Sequence, residues 1–391
     1  MKQGQLPEPP LPESDDPPLR LDPCVSRPTG LTVLPPCRSS GTAGESASPG
    51  LSVDLVNANP LRCFQAYARI REMAPVDLGH HYPGWGLVYF AVVLPRVGER
   101  EFAMPHEESA EKVAVKRLSK AAVEEFLARG GHENPFREIQ RMQWLGDNQH
   151  VLGIVEALHD EDYLYIVMPY CEGGSLVRWI FGDRDRIGDA LGGSAAVYHN
   201  LLENIEYLHR HGVCHRDFSP DNCMVLKNHR IVLNDLAMSF RMPPGDLTAT
   251  DPGGGFFGKP AYLPPEVVSG YRCFSASGCD LWGTAVVLFN LVTGEVAWRE
   301  SLPTDLRFRY LVLAGGLSSS RRGRSSPNER AAEVLADDGS GGLRSLAEKC
   351  LDLNPLVSDL LEGVLRLDPN ERWETRRVKS SLWLEAFRQL G

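Results

Sequence analysis

Asp217, Asn222 and Asp235 are the residues of this chain whose types and spacing can do chemistry together. The first two lie in His215-Arg216-Asp217-Phe218-Ser219-Pro220-Asp221-Asn222, and Asp235 opens Asp235-Leu236-Ala237 a short stretch further on. A carboxylate such as Asp217 can align a hydroxyl and take its proton. An amide oxygen from Asn222 and a second carboxylate from Asp235 suit a hard cation such as Mg²⁺, which favours oxygen ligands and substrate phosphates. These are the needs of phosphoryl transfer: an oriented nucleophile and neutralised phosphate charge.

Several elements must hold those groups. Apolar residues at three- and four-residue spacing predict helices over 136–145, 195–211, 279–291 and 355–367. Strand-like runs cover 86–94, 113–118 and 163–169. A sheet-rich first part followed by a helical second part predicts an α+β, two-lobed architecture: a small antiparallel-sheet lobe with one helix, then a larger helical lobe. The small lobe is expected over about 61–170 and the large one over about 171–388.

These segments resemble the eukaryotic protein-kinase family, over residues 78–388. The string from His215 to Asn222 resembles its catalytic loop, Asp235-Leu236-Ala237 its metal-binding motif, and Val113-Ala114-Val115-Lys116 its phosphate-holding strand. The resemblance implies that Lys116 holds ATP phosphates and pairs with Glu138, that Asp217 is the catalytic base, and that Asn222 and Asp235 bind Mg²⁺. It also implies a nucleotide site built from Gly84, Gly86, Val88, Ala114, Met168, Pro169, Cys171 and Met224, with the Pro169 carbonyl and Cys171 N–H on the adenine edge. Glu266, in Gly258-Lys259-Pro260-Ala261-Tyr262-Leu263-Pro264-Pro265-Glu266, is expected to pair with Arg372, and Asp280-x-Trp282 resembles the start of the central helix. The implied activity is transfer of the γ-phosphate of Mg-ATP to serine or threonine hydroxyls of proteins. A pseudokinase that binds nucleotide or scaffolds partners is the alternative. A small-molecule phosphotransferase fits less well, because Glu266, Asp280 and Arg372 resemble the features that go with protein substrates.

The departures from the family pattern are local. In Gly79-His80-His81-Tyr82-Pro83-Gly84-Trp85-Gly86, His81 and Pro83 stand where glycines are expected, and Trp85 is read as an aromatic cap over the phosphates. Ser219 replaces the lysine expected two residues after the catalytic Asp, and Lys259 stands where threonine is usual, which would return the missing positive charge. Ala237 replaces a glycine, restricting the backbone beside Asp235. The resemblance also implies, from Arg216 before Asp217, activation by a phosphate on the segment that follows, with Thr248 and Thr250 as candidates.

Composition sets the remaining bounds. A net charge of −10 argues against a general nucleic-acid binder. Nine cysteines without a C-x-x-C pair suit neither a disulfide framework nor a zinc knuckle, and the first residues lack the apolar core of a secretion signal, so an intracellular, cytoplasmic setting is expected. The most apolar stretch, 281–292, is too short and too polar for a bilayer and reads as a buried helix. Residues 1–55 are rich in Pro and Ser and are expected to be a disordered tail, with Pro9-Pro10, Pro17-Pro18 and Pro35-Pro36 as candidate ligands for a polyproline-binding partner. The basic, serine-rich stretch 317–342 reads as a disordered insertion.

Overall fold

The computed structural model describes residues 19–20, 22–23, 32–34, 55–56, 65–76, 85–98, 101–106, 108–242, 248–250, 257–271, 273–319, 333–334 and 342–390. Gly84, the proline pairs of the tail and the basic run 321–327 lie outside them. The chain forms two compact units, one from Pro17–Asn148 with Leu152–Cys171, the other built mainly on Gln149–Val151 and Glu172–Gly391.

The first unit is a sheet. Its strands are β1 (Asp22–Pro23), β2 (Thr32–Leu34), β3 (Leu55–Val56), β4 (Gln65–Val76), β5 (Gly86–Pro95), β6 (Glu101–Ala103), β7 (Lys112–Ser119), β8 (Glu156–His159) and β9 (Tyr163–Pro169). The main sheet runs β1-β8-β9-β7-β5-β4-β3, and its five central strands pair antiparallel. Side chains alternate between its faces. Tyr89, Ala91, Val113, Val115 and Val167 pack together on one face. Val88, Ala114, Lys116 and Met168 therefore share the other, since Lys116 lies opposite Val88 and Ile166, and Ala114 opposite Phe90 and Met168. Composition predicts an unordered tail, yet β1 pairs with β8 and β2 with β6, both in parallel. Edge strands offer unpaired backbone groups, and that is enough to recruit such short stretches.

Two helices accompany this sheet, α1 (Lys120–Ala128) and α2 (Pro135–Leu145), where the sequence predicts only the second. α2 has strong start and stop signals. The Asn134 side chain accepts from the N–H groups of Phe136 and Arg137, Pro135 sits in the first turn, and Gly146 ends the helix at φ 62°.

The second unit is mostly helical. It contains α3 (Leu176–Phe181), α4 (Arg186–Leu191), α5 (Gly193–Arg210), α6 (Pro265–Val268) and α7 (Ala276–Thr293), with further helices at Gly342–Leu351, Pro355–Val364, Thr375–Lys379 and Leu382–Leu390. α7 extends beyond the apolar stretch seen in sequence. By length and composition alone it could cross a membrane, but it is apolar on every side because protein surrounds it. Trp282, Ala285 and Phe289 of α7 pack with Tyr198 and Leu202 of α5 in one core. Short strands accompany these helices: β10 (Gly174–Ser175), β11 (Val213–Cys214), β12 (Cys223–Val225), β13 (Ile231–Leu233) and β14 (Phe240–Arg241).

Candidate active site

In the sheet unit, β7 and α2 bring two charges together. The Lys116 ammonium donates to Glu138 Oε2 at 2.9 Å, and Glu138 is 1% exposed. Glu138 sits in the first turn of α2, where the helix dipole favours a carboxylate. Of the expected adenine contacts, Pro169 ends β9, and the buried Cys171 thiol leans on its carbonyl at 3.9 Å. Burial pushes that thiol up to about 12, so it remains protonated.

One reading from sequence changes here. Trp85 does not cap a phosphate site: it is 5% exposed and packs edge-on against Phe126 of α1, ring centroids 4.9 Å apart. The Trp85 carbonyl also accepts from Ser119 N–H at 2.9 Å. At Gly86, sheet packing also requires glycine, because a Cβ there would lie 2.1 Å from the Arg117 carbonyl oxygen.

In the helical unit, the loop after β11 is held from below by Asp280 of α7. Its carboxylate, 1% exposed, accepts from His215 N–H and Arg216 N–H, each at 2.9 Å, and meets His209 Nε2 at 2.8 Å. Burial alone would raise the Asp280 pKa; the bond and charge of His209, with His215, outweigh it and hold the carboxyl below its usual value. His215 Nε2 donates to Asn234 O at 3.0 Å while its Nδ1 accepts from Asp217 N–H at 3.3 Å, which defines the ring's tautomer.

Asn222 closes the loop. Its Nδ2 donates to Asp217 O and to Asp217 Oδ2, both at 2.8 Å. Its own backbone carbonyl accepts from Asn234 N–H at 2.8 Å, which draws the start of Asp235-Leu236-Ala237 beside it. The buried Asn204 of α5 donates to Ile231 O at 2.9 Å and so anchors β13, the strand leading to Asp235. Met224 lies in β12 opposite Val232 and Ser175. Arg216 and Asp235 adopt φ of 68° and 62°, a region that costs non-glycine residues roughly 1–3 kcal/mol and that concentrates at working sites.

The segment from Phe257 to Lys259 docks onto this loop. Lys259 N–H donates to Asp217 Oδ1 at 3.0 Å, and Lys259 Nζ donates to Asp217 Oδ2 at 3.1 Å and to Ser219 Oγ at 3.0 Å. The Arg216 guanidinium stacks on Phe257, 3.7 Å from the ring centroid, and lies 5.3 Å from that of Phe240. Arg216, expected to receive a phosphate, is thus engaged by aromatic rings; the side chains of Thr248 and Thr250 lie outside the described residues. Phe257 was not legible as a functional residue, since its glycine-rich surroundings carry no periodicity. Further along, Arg372 makes a two-point ion pair with Glu266, Nη2 to Oε2 at 2.6 Å, over the Trp282 ring.

An antiparallel sheet bearing a buried lysine–glutamate pair, with a helical unit bearing the Asp217–Asn222 loop, defines a phosphotransferase-type architecture. The chain belongs to the protein kinase family: the model described as "Protein kinase domain" matches residues 101–384. Gly84, Gly86 and Val88 fall before that match. Curated relatives include serine/threonine-protein kinase stk11 of Xenopus laevis, 26% identical over 278 residues, covering 69% of this chain and 54% of the relative. STK11 of Homo sapiens is 24% identical over 293 residues, covering 73% and 59%. Serine/threonine protein kinase OSK3 of Oryza sativa subsp. indica is 25% identical over 280 residues, covering 72% and 46%. The chain therefore spans about half the length of the curated relatives it matches.

Proposed function

We propose that this chain is a serine/threonine protein kinase that transfers the γ-phosphate of ATP to a protein hydroxyl, with Asp217 as its catalytic base. The observation that carries this reading is how the Asp217 carboxylate is held. A carboxylate has about four acceptor directions. Asn222 Nδ2, Lys259 N–H and Lys259 Nζ take three, which leaves one for an incoming hydroxyl. Fixed donors keep the group from turning, so a hydroxyl that meets it is aligned as well as deprotonated. Lys116, kept in place by Glu138, is a cation suited to phosphate oxygens.

The donor set also suits Mg²⁺. Asn222 Nδ2 is spent on Asp217, which leaves the amide oxygen Oδ1 as the end able to face a cation, and the Asp235 carboxylate follows Asn234 on the same backbone bond. Two protein oxygens fit an ion that keeps waters and phosphate oxygens as its other ligands. When bound, Mg²⁺ neutralises phosphate charge. The serine/threonine preference is supported by the names of the relatives.

Transfer of radiolabelled phosphate from ATP to an arrayed peptide library, beside an Asp217→Asn control, tests the proposal. Label on Ser or Thr peptides that the control lacks supports it; equal label from both sinks it. A second reading, a pseudokinase, draws on the Lys259–Asp217 ion pair, which would blunt a base. ATP binding without any transfer would favour that reading.

A further inference from the structure

We propose that Lys259 is the positioning residue of the phosphoryl-transfer step: it holds Asp217 from the segment after Gly258 and brings the positive charge that the 215–222 loop does not direct there. The inference rests on the kinase reading above. Within the loop, Arg216 carries a charge but is stacked on Phe257. Lys259 instead grips both oxygens of Asp217, one through its backbone N–H and one through its ammonium.

The surroundings are built for this grip. Ser219 is fully buried and its hydroxyl accepts from the ammonium at 3.0 Å, so the two side chains meet at one point. Asp221 adds a second carboxylate at 3.9 Å. Gly258 lets the segment come close: its φ is +69°, and a Cβ there would lie 2.5 Å from Arg216 O and 3.4 Å from Asp217 Oδ1. Consecutive residues 257, 258 and 259 thus each meet the stretch from Arg216 to Ser219. Partial burial works against the ammonium, but the charges of Asp217 and Asp221 and the bond to Asp217 outweigh it, so Lys259 stays charged at neutral pH.

An ammonium this near the base does two things. It keeps the carboxylate in one orientation, and it stands beside the oxygen where a transferred group must arrive, so preorganised charge lowers the barrier more than it aids ground-state binding. Because Lys259 belongs to the docked segment, readiness of Asp217 and docking of that segment are one event.

The test compares wild type, Lys259→Gln, Lys259→Arg and the exchange variant Lys259→Ser with Ser219→Lys, measuring kcat and KM for ATP and peptide. Lys259→Gln is expected to lose on the order of tenfold or more in kcat with KM for ATP little changed. Lys259→Arg, which keeps the charge, and the exchange variant, whose lysine starts from the partner side of the same contact, are expected to regain much of it. A purely structural role would not follow charge in this way. If Lys259→Gln keeps kcat within about twofold of wild type, the inference is overturned. It is equally overturned if Lys259→Arg is no better than Lys259→Gln. Should the exchange variant fail to fold, as its thermal unfolding would reveal, the Arg and Gln pair decides alone. A wild type without transfer activity overturns the kinase reading, and this inference with it.

Discussion

The Arg216 guanidinium lies 3.7 Å from the centroid of the Phe257 ring, and this contact joins the loop that carries Asp217 to the segment that carries Lys259. A cation against an aromatic face is worth about 2 kcal/mol or more when desolvated. Both partners are buried, Phe257 also packing on Phe274 at 5.4 Å. A segment clasped in this way needs no phosphate to bring it to Arg216.

Activity is therefore expected to survive dephosphorylation. Protein treated with a broad phosphatase should keep at least about half of its kcat, while Phe257→Ala should lose several-fold, since the clasp and not a phosphate seats Lys259. Steady-state peptide phosphorylation before and after treatment checks this. A collapse of activity on dephosphorylation would return Arg216 to the role of a phosphate receptor.

Lys116 and Glu138 form a pair whose members are costly to separate. Removing one partner takes away this buried ion contact, and breaking such a pair costs about 3–5 kcal/mol. Glu138→Ala and Lys116→Met are thus both expected to be markedly less stable than wild type in urea unfolding. Both should lose transfer. Equal stability of both variants and wild type would mean that the pair adds little to the fold.

Much of this architecture is legible in sequence, for physical reasons that can be named. Val113 and Val115 fall on one face of a strand, and Ala114 and Lys116 on the other, before any partner is known, because the side-chain period of a strand is two. Apolar periodicity finds α2 over 136–145, and the Asn134 cap and Gly146 fix its ends in the structure. Asp217, Asn222 and Asp235 can be picked out by order and spacing, whereas the bonds from Asn222 and Asn234 that join them cannot. Trp85 is misread because its burial depends on Phe126, far along the chain, while its neighbours in sequence look like a turn. The pairing of Thr32–Leu34 with Glu101–Ala103 escapes notice since three residues carry no periodicity.

Asp280 gives the fold an acid-sensitive tie. Its carboxyl is held below the usual value, so the ionised form contributes stability that is fully present above the unfolded value of about 3.9. As pH falls from there through the lower folded value, that contribution is lost. Asp280→Asn removes the titration and weakens bonds to the loop, each worth roughly 1.5–3 kcal/mol when a charge is involved. Wild-type stability should consequently fall more steeply than that of Asp280→Asn below about pH 4. Chemical unfolding across pH 3–7 checks this, and parallel curves would show that other carboxylates govern acid unfolding.

Gly258 separates docking from folding most cleanly. Its φ of +69° is strained for any L side chain, and the added Cβ of Gly258→Ala would press to 2.5 Å on the Arg216 carbonyl oxygen, which is backbone and cannot swing aside. The cheapest relief is for the segment to back away, which withdraws both donors of Lys259 from Asp217. The helical core around Trp282 and Phe289 lies in other elements and loses nothing directly. Gly258→Ala is accordingly expected to lower kcat on the order of a hundredfold, the size of one preorganised donor lost at a charged centre, while thermal unfolding shifts by only a few degrees. Nucleotide binding, measured by calorimetry, should stay near wild type, because a side chain at Gly258 would press on Arg216, Leu263 and Asp217 and on none of the residues expected to hold ATP. If kcat and the unfolding temperature fell together, the glycine would be a folding requirement, and the link from segment docking to the Asp217 carboxylate would lose its support.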